Sequence, residues 1–189
     1  MSQAPEQGNG WEVIRGFVPP ETVELLGQQA LALIAEPHPD VKVIHQHRLS
    51  RDVSIYEMED WDIEALPDTD LYQWMEATIP DVVAVARQTM AQREVDDGKL
   101  VVNLYHGDGR ILAHRDSDDD ELGPIDRRAI KVTGGDDEFW IRDPLTEVWH
   151  CVSLSCGDAV DIHNTDFPKS PIVHMILNRS SQPRVAIVK

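Results

Sequence analysis

The stretch "VVNLYHGDGRILAHRDSDDDELG", residues 101–123, combines a strand pattern with a dense group of polar side chains. It opens as an apolar strand, breaks at Gly107 and Gly109, and resumes two residues later. It then places His114 and Asp116 two residues apart, so on a strand both side chains would face the same side. An imidazole and a carboxylate on one face can form a salt bridge, a proton relay or part of a metal site.

The sequence around this stretch predicts helices first and many strands afterwards. Helical spacing of apolar residues follows Pro20 in "ETVELLGQQALALIAE" and continues in "LYQWMEATI" and "PDVVAVARQTMAQREV". Short strand-like runs then dominate, at 99–105, 110–115, 128–133, 138–142, 147–154, 158–163, 171–177 and 184–188. This order predicts an α+β fold in which a β-sandwich or jelly roll packs on helical support.

Length and composition predict one soluble domain. The chain has 189 residues, of which 41% are hydrophobic and 27% charged, values typical of globular proteins. Residues 1–10, "MSQAPEQGNG", are expected to be a disordered tail without secretory features, and 11–189 a single domain. No apolar run reaches the roughly 20 residues that span a bilayer. Two cysteines are too few for a disulfide framework, so we expect reduced thiols in a cytoplasmic protein. We also expect a monomer without membrane association.

The charge balance argues against strong non-specific binding of nucleic acids. The formal net charge is −17, and such a surface repels polyanions. Positive charge concentrates locally at Arg48 with Arg51, and at Arg127 with Arg128 and Lys131. We interpret both groups as solvated surface, although a local basic rim could still admit one nucleotide.

A metal site needs a third ligand beside His114 and Asp116. The favoured candidate is His174, on the late strand "SPIVHMIL", and the rival is His163 in "DIHN". Two histidines and one carboxylate leave three coordination positions open, as in the facial triad of non-heme Fe(II) oxygenases. Tetrahedral zinc would need a fourth ligand or a water. The run "DSDDDE" is not a calcium loop, because Glu121 stands where that loop needs glycine.

Several motifs in order resemble those of one enzyme family. "NLYHGDGRILAHRDSDD" is similar to the Asn-x-Tyr and His-x-Asp-x-Asp signature of the AlkB-like Fe(II)/2-oxoglutarate-dependent dioxygenases. "GGDDEFWIRD", "LSCGDAVDIHN" and "IVHMILNRSSQPRVAIVK" resemble that family's later motifs in the same order. The resemblance implies a double-stranded β-helix (jelly-roll) core of about eight strands with N-terminal supporting helices.

The resemblance also implies the residues of the active site. Fe(II) would be held by His114, Asp116 and His174. The cosubstrate 2-oxoglutarate would accept hydrogen bonds from Asn103 and Tyr105, and its far carboxylate would pair with Arg184, a role suited to a planar guanidinium. Arg179 is the alternative to Arg184 for this role. The third reactant would be O2.

The substrate is less narrowly implied. In base-repairing members the acid at the position of Asp118 lies at the substrate, and Arg48, Arg51 and Tyr56 could form a lid over an extruded base. The leading expectation is therefore hydroxylation or oxidative demethylation of a nucleobase or nucleotide-like substrate. A small-molecule, peptide or amino-acid hydroxylase is the alternative, and a non-catalytic jelly-roll binding module is a third reading.

The last strand departs from the pattern of repair members, which resembles Arg-x-Asn-x-Thr-x-Arg. Here Ala186 replaces the Asn, and the final Arg has no counterpart, although Lys189 lies one place short. We therefore expect weak affinity for duplex DNA and better turnover on a single-stranded or small substrate.

Overall fold

The computed structural model describes residues 6–45, 49–59, 69–91, 99–116, 126–170 and 172–189. Its helices begin where the sequence predicts. Pro20 occupies the first turn of α1, where its missing N–H costs nothing, and the Thr69 hydroxyl caps α2 by accepting a hydrogen bond from the Tyr72 N–H at 3.2 Å. The helices are α1 (Pro20–Ala35), α2 (Asp70–Thr78) and α3 (Pro80–Ala91).

Eleven strands make up the rest of the described fold. The early strands are β1 (Gln7–Gly8), β2 (Trp11–Ile14), β3 (Lys42–Ile44) and β4 (Ser50–Glu59). The later strands are β5 (Lys99–His114), β6 (Arg127–Thr133), β7 (Asp137–Arg142), β8 (Trp149–Val152), β9 (Ala159–Ile162), β10 (Val173–Asn178) and β11 (Arg184–Val188). A short 3-10 helix, Asn164–Asp166, follows β9.

These strands pair antiparallel in a curled sheet that closes as a jelly roll. The hydrogen-bonded order is β1-β2-β9-β6-β11-β5-β10-β7-β8, and β4 joins β3 to β5. The first half of β5 pairs with β11 and its second half with β10, so this strand belongs to both layers. The predicted α+β jelly roll with helices on the N-terminal side is confirmed.

The glycines of β5 bend the strand without ending it. The runs predicted separately at 99–105 and 110–115 form one strand, Lys99–His114, because backbone pairing with β4 resumes after a register shift. Gly107 has a φ of +48°, a conformation that glycine adopts at little cost. At Gly109 a Cβ would lie 2.3 Å from the Asp52 carbonyl oxygen, so only glycine fits there. The bend carries the chain from one layer to the other.

Two apolar clusters hold these layers together. The first lies between the helices and the sheet and buries Leu26, Met75 and Val82 completely. Truncating such a side chain to alanine typically costs about 2–5 kcal/mol. The second fills the interior of the roll, with Phe139 and Ile141 at its centre. The candidate site opens into this second cluster.

The start of the described chain differs from the expected tail. Gln7 and Gly8 instead form β1, which pairs with β2, and the Asn9 side chain donates a 2.9 Å hydrogen bond to Asp143. The alternation that marks a strand is too short here to be read from sequence. No helix in the described parts of the chain is long and apolar enough to cross a membrane.

Candidate metal centre and cosubstrate pocket

The fold brings His114, Asp116 and His174 to one point, and we call these residues the inner trio. His114 ends β5, and in the antiparallel β5–β10 ladder its cross-strand partner is His174. Directly opposed residues share a face, and the two imidazole centroids lie 4.2 Å apart. Asp116 follows β5 by two residues, and one ligand atom from each member lies within 4.8 Å of the others.

Distances within the inner trio suit a shared cation better than hydrogen bonds. The Asp116 carboxylate lies 3.6 Å from His114 Nε2 through Oδ1 and 3.5 Å from His174 Nε2 through Oδ2. Good hydrogen bonds between such atoms are near 2.9 Å. Two ligands about 2.1 Å from one metal, at right angles, stand about 3 Å apart. The carboxylate therefore fits a divalent metal shared with either imidazole after a contraction of about half an ångström.

The imidazoles are prepared to act as metal ligands. His114 Nδ1 lies 2.8 Å from the Leu112 carbonyl oxygen, to which it can donate its proton. That bond leaves Nε2 as the unprotonated, metal-binding nitrogen. The His174 ring is only 5% exposed and stacks parallel to Phe139, with centroids 5.7 Å apart. Packing thus fixes one ring and a hydrogen bond fixes the other.

Burial keeps His174 neutral. Desolvation lowers the pKa of His174 from its ordinary value of 6.5 to about 4, and the charge of Asp116 opposes this shift only in part. The neighbouring cation Arg127 adds a smaller lowering of this pKa. A neutral imidazole is the form that binds a metal, so His174 is ready to do so at physiological pH.

A second group of charges lies deeper in the same interior. Arg184 is 1% exposed, and its Nε donates to Asp137 Oδ2 at 2.5 Å. The other oxygen of Asp137 accepts from Lys131 Nζ, also at 2.5 Å. Two buried cations thus share one carboxylate, which leaves an excess of positive charge. A buried charge without compensation is costly, so this end of the cavity favours an anion.

One buried donor marks where such an anion would lie, since Arg184 Nη1 has no hydrogen-bond partner among the described residues. Asn103 Oδ1 is also unsatisfied there, but it is an acceptor and would need a donor rather than an anion. Unsatisfied buried groups are rare unless something binds there. Tyr105 closes this end, with its ring 4.8 Å from the Arg184 guanidinium carbon.

One cavity connects these polar groups to the inner trio. It has a volume of about 430 Å³ together with its opening to solvent, and its wall includes Asn103, Tyr105, Arg184 and all three members of the trio. A second, more open cavity of about 850 Å³ continues outward from His114, Asp116 and Asn103. We call them the inner and the outer cavity. The structure thus places six of the predicted site residues around one space.

The two predicted substrate residues that the structure describes, Arg51 and Tyr56, line neither cavity. Tyr56 is wrong as a lid residue, because it is 5% exposed and packs in the helix-backed cluster. Alternation on β4 explains this, since Ile55 and Glu57 face the outer cavity and Tyr56 must face the opposite side. Arg51 lines neither cavity and pairs with Asp52 at 3.2 Å. Arg48 and Asp118 lie outside the described residues.

Four charged residues in or near the site could not be recognised from the sequence. The basic group on β6 was interpreted as solvated surface, but Arg128 is 5% and Lys131 3% exposed. Each pairs with an acid on another strand, which no local pattern reveals. Arg127 lines both cavities. Asp137 could not be distinguished in the sequence as a site residue, because two more acids lie beside it in the glycine-turn segment.

His163, the rival ligand, belongs to a different group of side chains. It comes together with Glu12 and Asp161, and we call these three residues the outer trio. His163 Nε2 lies 3.9 Å from Glu12 Oε1. The outer trio lines neither of the two cavities as a group, so its members are separated from Arg184 and Asn103.

Comparisons with known proteins support the fold. No protein-family model matches the chain, and no curated protein matches it by sequence. Among solved structures, a Pseudomonas putida prolyl-4-hydroxylase is similar with a TM-score of 0.62 at 15% identity, over 95% of this chain and 90% of that one. The non-heme alpha ketoglutarate dependent epimerase SnoN, from nogalamycin biosynthesis, gives 0.60 at 17% identity, over 95% and 75%.

The chain therefore shares its fold with a prolyl-4-hydroxylase and with a non-heme alpha ketoglutarate dependent epimerase. OsALKBH1 is also similar, with a TM-score of 0.53 at 13% identity over 97% of this chain and 99% of that one. Because the likeness extends to prolyl hydroxylases and an epimerase as well, it does not single out the AlkB-like members.

Proposed function

We propose that the protein is an Fe(II)- and 2-oxoglutarate-dependent oxygenase that hydroxylates a C–H bond. The observation that carries this proposal is one cavity with a two-histidine, one-carboxylate group at its mouth and an arginine with an unsatisfied nitrogen at its depth. The jelly roll, shared with enzymes of this chemistry, adds independent support.

The inner trio would hold the iron. His114, Asp116 and His174 offer three ligand atoms on one side, which leaves three positions for other ligands. When bound, Fe(II) and 2-oxoglutarate supply the oxidising chemistry, in which one atom of O2 enters the substrate C–H bond and the other enters succinate as CO2 is released.

The other end of the cavity would hold the cosubstrate. Arg184 Nη1 can donate to the far carboxylate of 2-oxoglutarate, since Nε is already held by Asp137. Asn103 is placed to orient the molecule between Arg184 and the trio. Ile111, Phe139 and Ile176 complete an apolar wall that excludes water from the reacting atoms.

For the substrate, the motif resemblance favours a nucleobase or nucleotide-like molecule, consistent with an AlkB-like enzyme. If the hydroxylated carbon is bonded to nitrogen, the product loses formaldehyde, and this is demethylation. A small molecule is the second candidate, because no Phe, Tyr or Trp side chain lines the outer cavity in the described part of its wall. Base-binding pockets usually stack the base on such a side chain.

Turnover of 2-oxoglutarate tests the proposed function. Succinate would be measured with Fe(II) and ascorbate across methylated single-stranded and duplex oligonucleotides, nucleotides, peptides and small acids, with formaldehyde as the marker of demethylation. We expect succinate from the wild type and none above background from His174→Ala, with His163→Ala as the matched control. The proposal would be contradicted if the metal-loaded wild type formed no succinate in any reaction, neither with a member of the panel nor without substrate.

A further inference from the structure

Arg184 is held by contacts on several sides, which leave one nitrogen of its guanidinium for the inner cavity. In the β5–β11 ladder it lies opposite Tyr105, whose ring centroid is 4.8 Å from the guanidinium carbon. Its Nε donates to Asp137 Oδ2 at 2.5 Å. Its stem packs against the turn after β6, where a Cβ on Gly134 would lie only 2.9 Å from Arg184 Cβ. Nη1 has no partner among the described residues, so this nitrogen remains to meet a ligand.

Asp137 is the centre of this arrangement, although it does not reach the cavity itself. Its carboxylate is buried, and neither Asp137 nor Lys131 belongs to the described wall of the inner or the outer cavity. Its two oxygens are divided between two cations, because Oδ2 accepts from Arg184 Nε and Oδ1 accepts from Lys131 Nζ, each at 2.5 Å. Asp137 can therefore act on a molecule in the inner cavity only through Arg184.

Lys131 fixes the carboxylate of Asp137 and has no donor left for a ligand. Besides its bond to Asp137, Lys131 Nζ donates to the carbonyl oxygens of Gly135 at 2.8 Å and of Leu154 at 2.9 Å. An ammonium group has three N–H donors, so all three are used within the protein. Because Gly135 belongs to the turn that packs on Arg184, the lysine holds this turn and the carboxylate in one position.

We propose that Asp137 is a positioning residue, which fixes Arg184 Nη1 at one depth of the inner cavity and thereby selects the length of the 2-oxo acid that binds there. This inference rests on the proposed function, in which the inner trio holds the metal and Arg184 binds the far carboxylate. A ligand held by the metal at one end and by a fixed arginine at the other must span one distance. Without the carboxylate of Asp137, the long side chain of Arg184 could follow a longer ligand.

A set of 2-oxo acids separates the position of Arg184 from its charge. 2-Oxoadipate is one methylene longer than 2-oxoglutarate, and 2-oxopentanoate has the chain length of 2-oxoglutarate without the far carboxylate. Each acid would be titrated calorimetrically into the Mn(II)-loaded protein without oxygen. For the wild type we expect 2-oxoglutarate to bind about tenfold or more tightly than either of the others, as for the loss of one charge-assisted hydrogen bond.

The variants are chosen so that the charge beside Arg184 is controlled. Asp137→Asn alone would leave two buried cations without their counter-charge and would destabilise the fold. Combining it with Lys131→Met removes one positive and one negative charge, so the net charge of the group is unchanged. We expect this double variant to keep its preference for 2-oxoglutarate over 2-oxopentanoate and to lose most of its preference over 2-oxoadipate. Lys131→Met alone leaves the Asp137–Arg184 pair in place and should keep both preferences, with weaker affinity for both dicarboxylates.

A second buried ion pair provides the matched control. Asp161→Asn breaks the pair with Arg128, which lies outside the described walls of both cavities, and its folded fraction should keep both wild-type preferences. Near-UV circular dichroism would confirm that each variant is folded. The proposal would be overturned if the folded double variant kept the wild-type preference over 2-oxoadipate, or if Lys131→Met lost that preference equally.

The wild type alone separates this proposal from the proposed function. Equal binding of 2-oxoglutarate and 2-oxoadipate by the wild type would overturn the role of Asp137 and leave the proposed function in place. If the wild type bound neither Mn(II) nor 2-oxoglutarate, the proposed function itself would be wrong.

Discussion

The inner trio and the outer trio contain the same kinds of side chain, yet their surroundings differ. Each group brings a histidine and a carboxylate close enough to share a cation. In the outer trio, however, Asp161 already accepts two 2.6 Å hydrogen bonds, from Arg128 Nε and Nη2. In the inner trio the described contacts of Asp116 are the two imidazoles, both 3.5 Å or more away.

This difference shows that proximity alone does not make a metal site. A carboxylate that already neutralises a buried cation is less available to a metal, and both oxygens of Asp161 accept hydrogen bonds from Arg128. Asp161 of the outer trio therefore stabilises the fold through its ion pair with Arg128. The carboxylate of the inner trio, by contrast, is available to bind a ligand. Each prediction below separates these two roles.

The largest effect is expected from Asp116→Asn. This change removes the only carboxylate of the inner trio, so binding of Fe(II) and formation of succinate should both fall to background. The free energy of unfolding of the metal-free protein should hold or rise, because Asp116 has no close hydrogen bond to lose among the described residues. Metal titration and urea unfolding of the same preparation check both parts. Loss of stability with metal binding intact would reverse the roles assigned to the two groups.

The same substitution in the outer trio should have the opposite result. Asp161→Asn leaves the buried Arg128 guanidinium without its counter-charge, and breaking a buried ion pair typically costs about 3–5 kcal/mol. Urea unfolding would measure this loss. The fraction of Asp161→Asn that remains folded should bind metal with the affinity of the wild type. A weaker metal affinity would show that the outer trio takes part in the metal site.

A second pair of arginines sharpens the comparison. Arg128 uses both sides of its fork on Asp161, whereas Arg184 gives Asp137 its Nε and keeps Nη1 unsatisfied among the described residues. We expect Arg184→Ala to keep metal and to lose roughly 2–5 kcal/mol of 2-oxoglutarate binding. Calorimetric titration of the cosubstrate measures this, with Arg179→Ala as the exposed control. Equal dissociation constants in wild type and Arg184→Ala would exclude the assignment.

The smallest effect concerns pH and the metal-free protein. The pKa of His174 is lowered from 6.5 to about 4 in the folded state, so as pH falls below 6.5 the unfolded chain takes up a proton that the folded chain does not. Stability should therefore decrease between pH 6.5 and pH 4, by about 3 kcal/mol in all. Unfolding of wild type and His174→Leu over this range isolates the contribution. Parallel curves for the two proteins would mean that His174 is not held neutral by burial.

The sequence predicted those parts of the site that depend on local spacing. His114 and Asp116 stand two residues apart, and Pro20 and Pro80 begin helices, as their positions predict. Strand alternation also predicts that Tyr56 and its neighbours on β4 lie on opposite faces of the strand. It does not predict which of the two faces meets the site. The choice of face depends on pairing with β5, about 50 residues later.

Pairing across the sheets could not be predicted. The charges of Lys131 and Arg128 predict that both residues lie at the surface. Both are buried instead, because Lys131 pairs with Asp137 and Arg128 pairs with Asp161. A charge is buried when its partner is buried with it, and the partner comes from another strand. The continuity of β5 through Gly107 and Gly109 has the same origin, since backbone pairing with β4 outweighs the local tendency of glycine to end a strand.

The most direct test of the account is the number and location of tightly bound divalent ions. Mn(II) would be titrated, as a surrogate for Fe(II), into wild type, His174→Ala and His163→Ala without oxygen, and free Mn(II) would be measured by electron paramagnetic resonance. We predict one ion bound by the wild type and by His163→Ala, and none by His174→Ala. Undiminished binding in His174→Ala together with its loss in His163→Ala would place the metal at the outer trio and contradict the account.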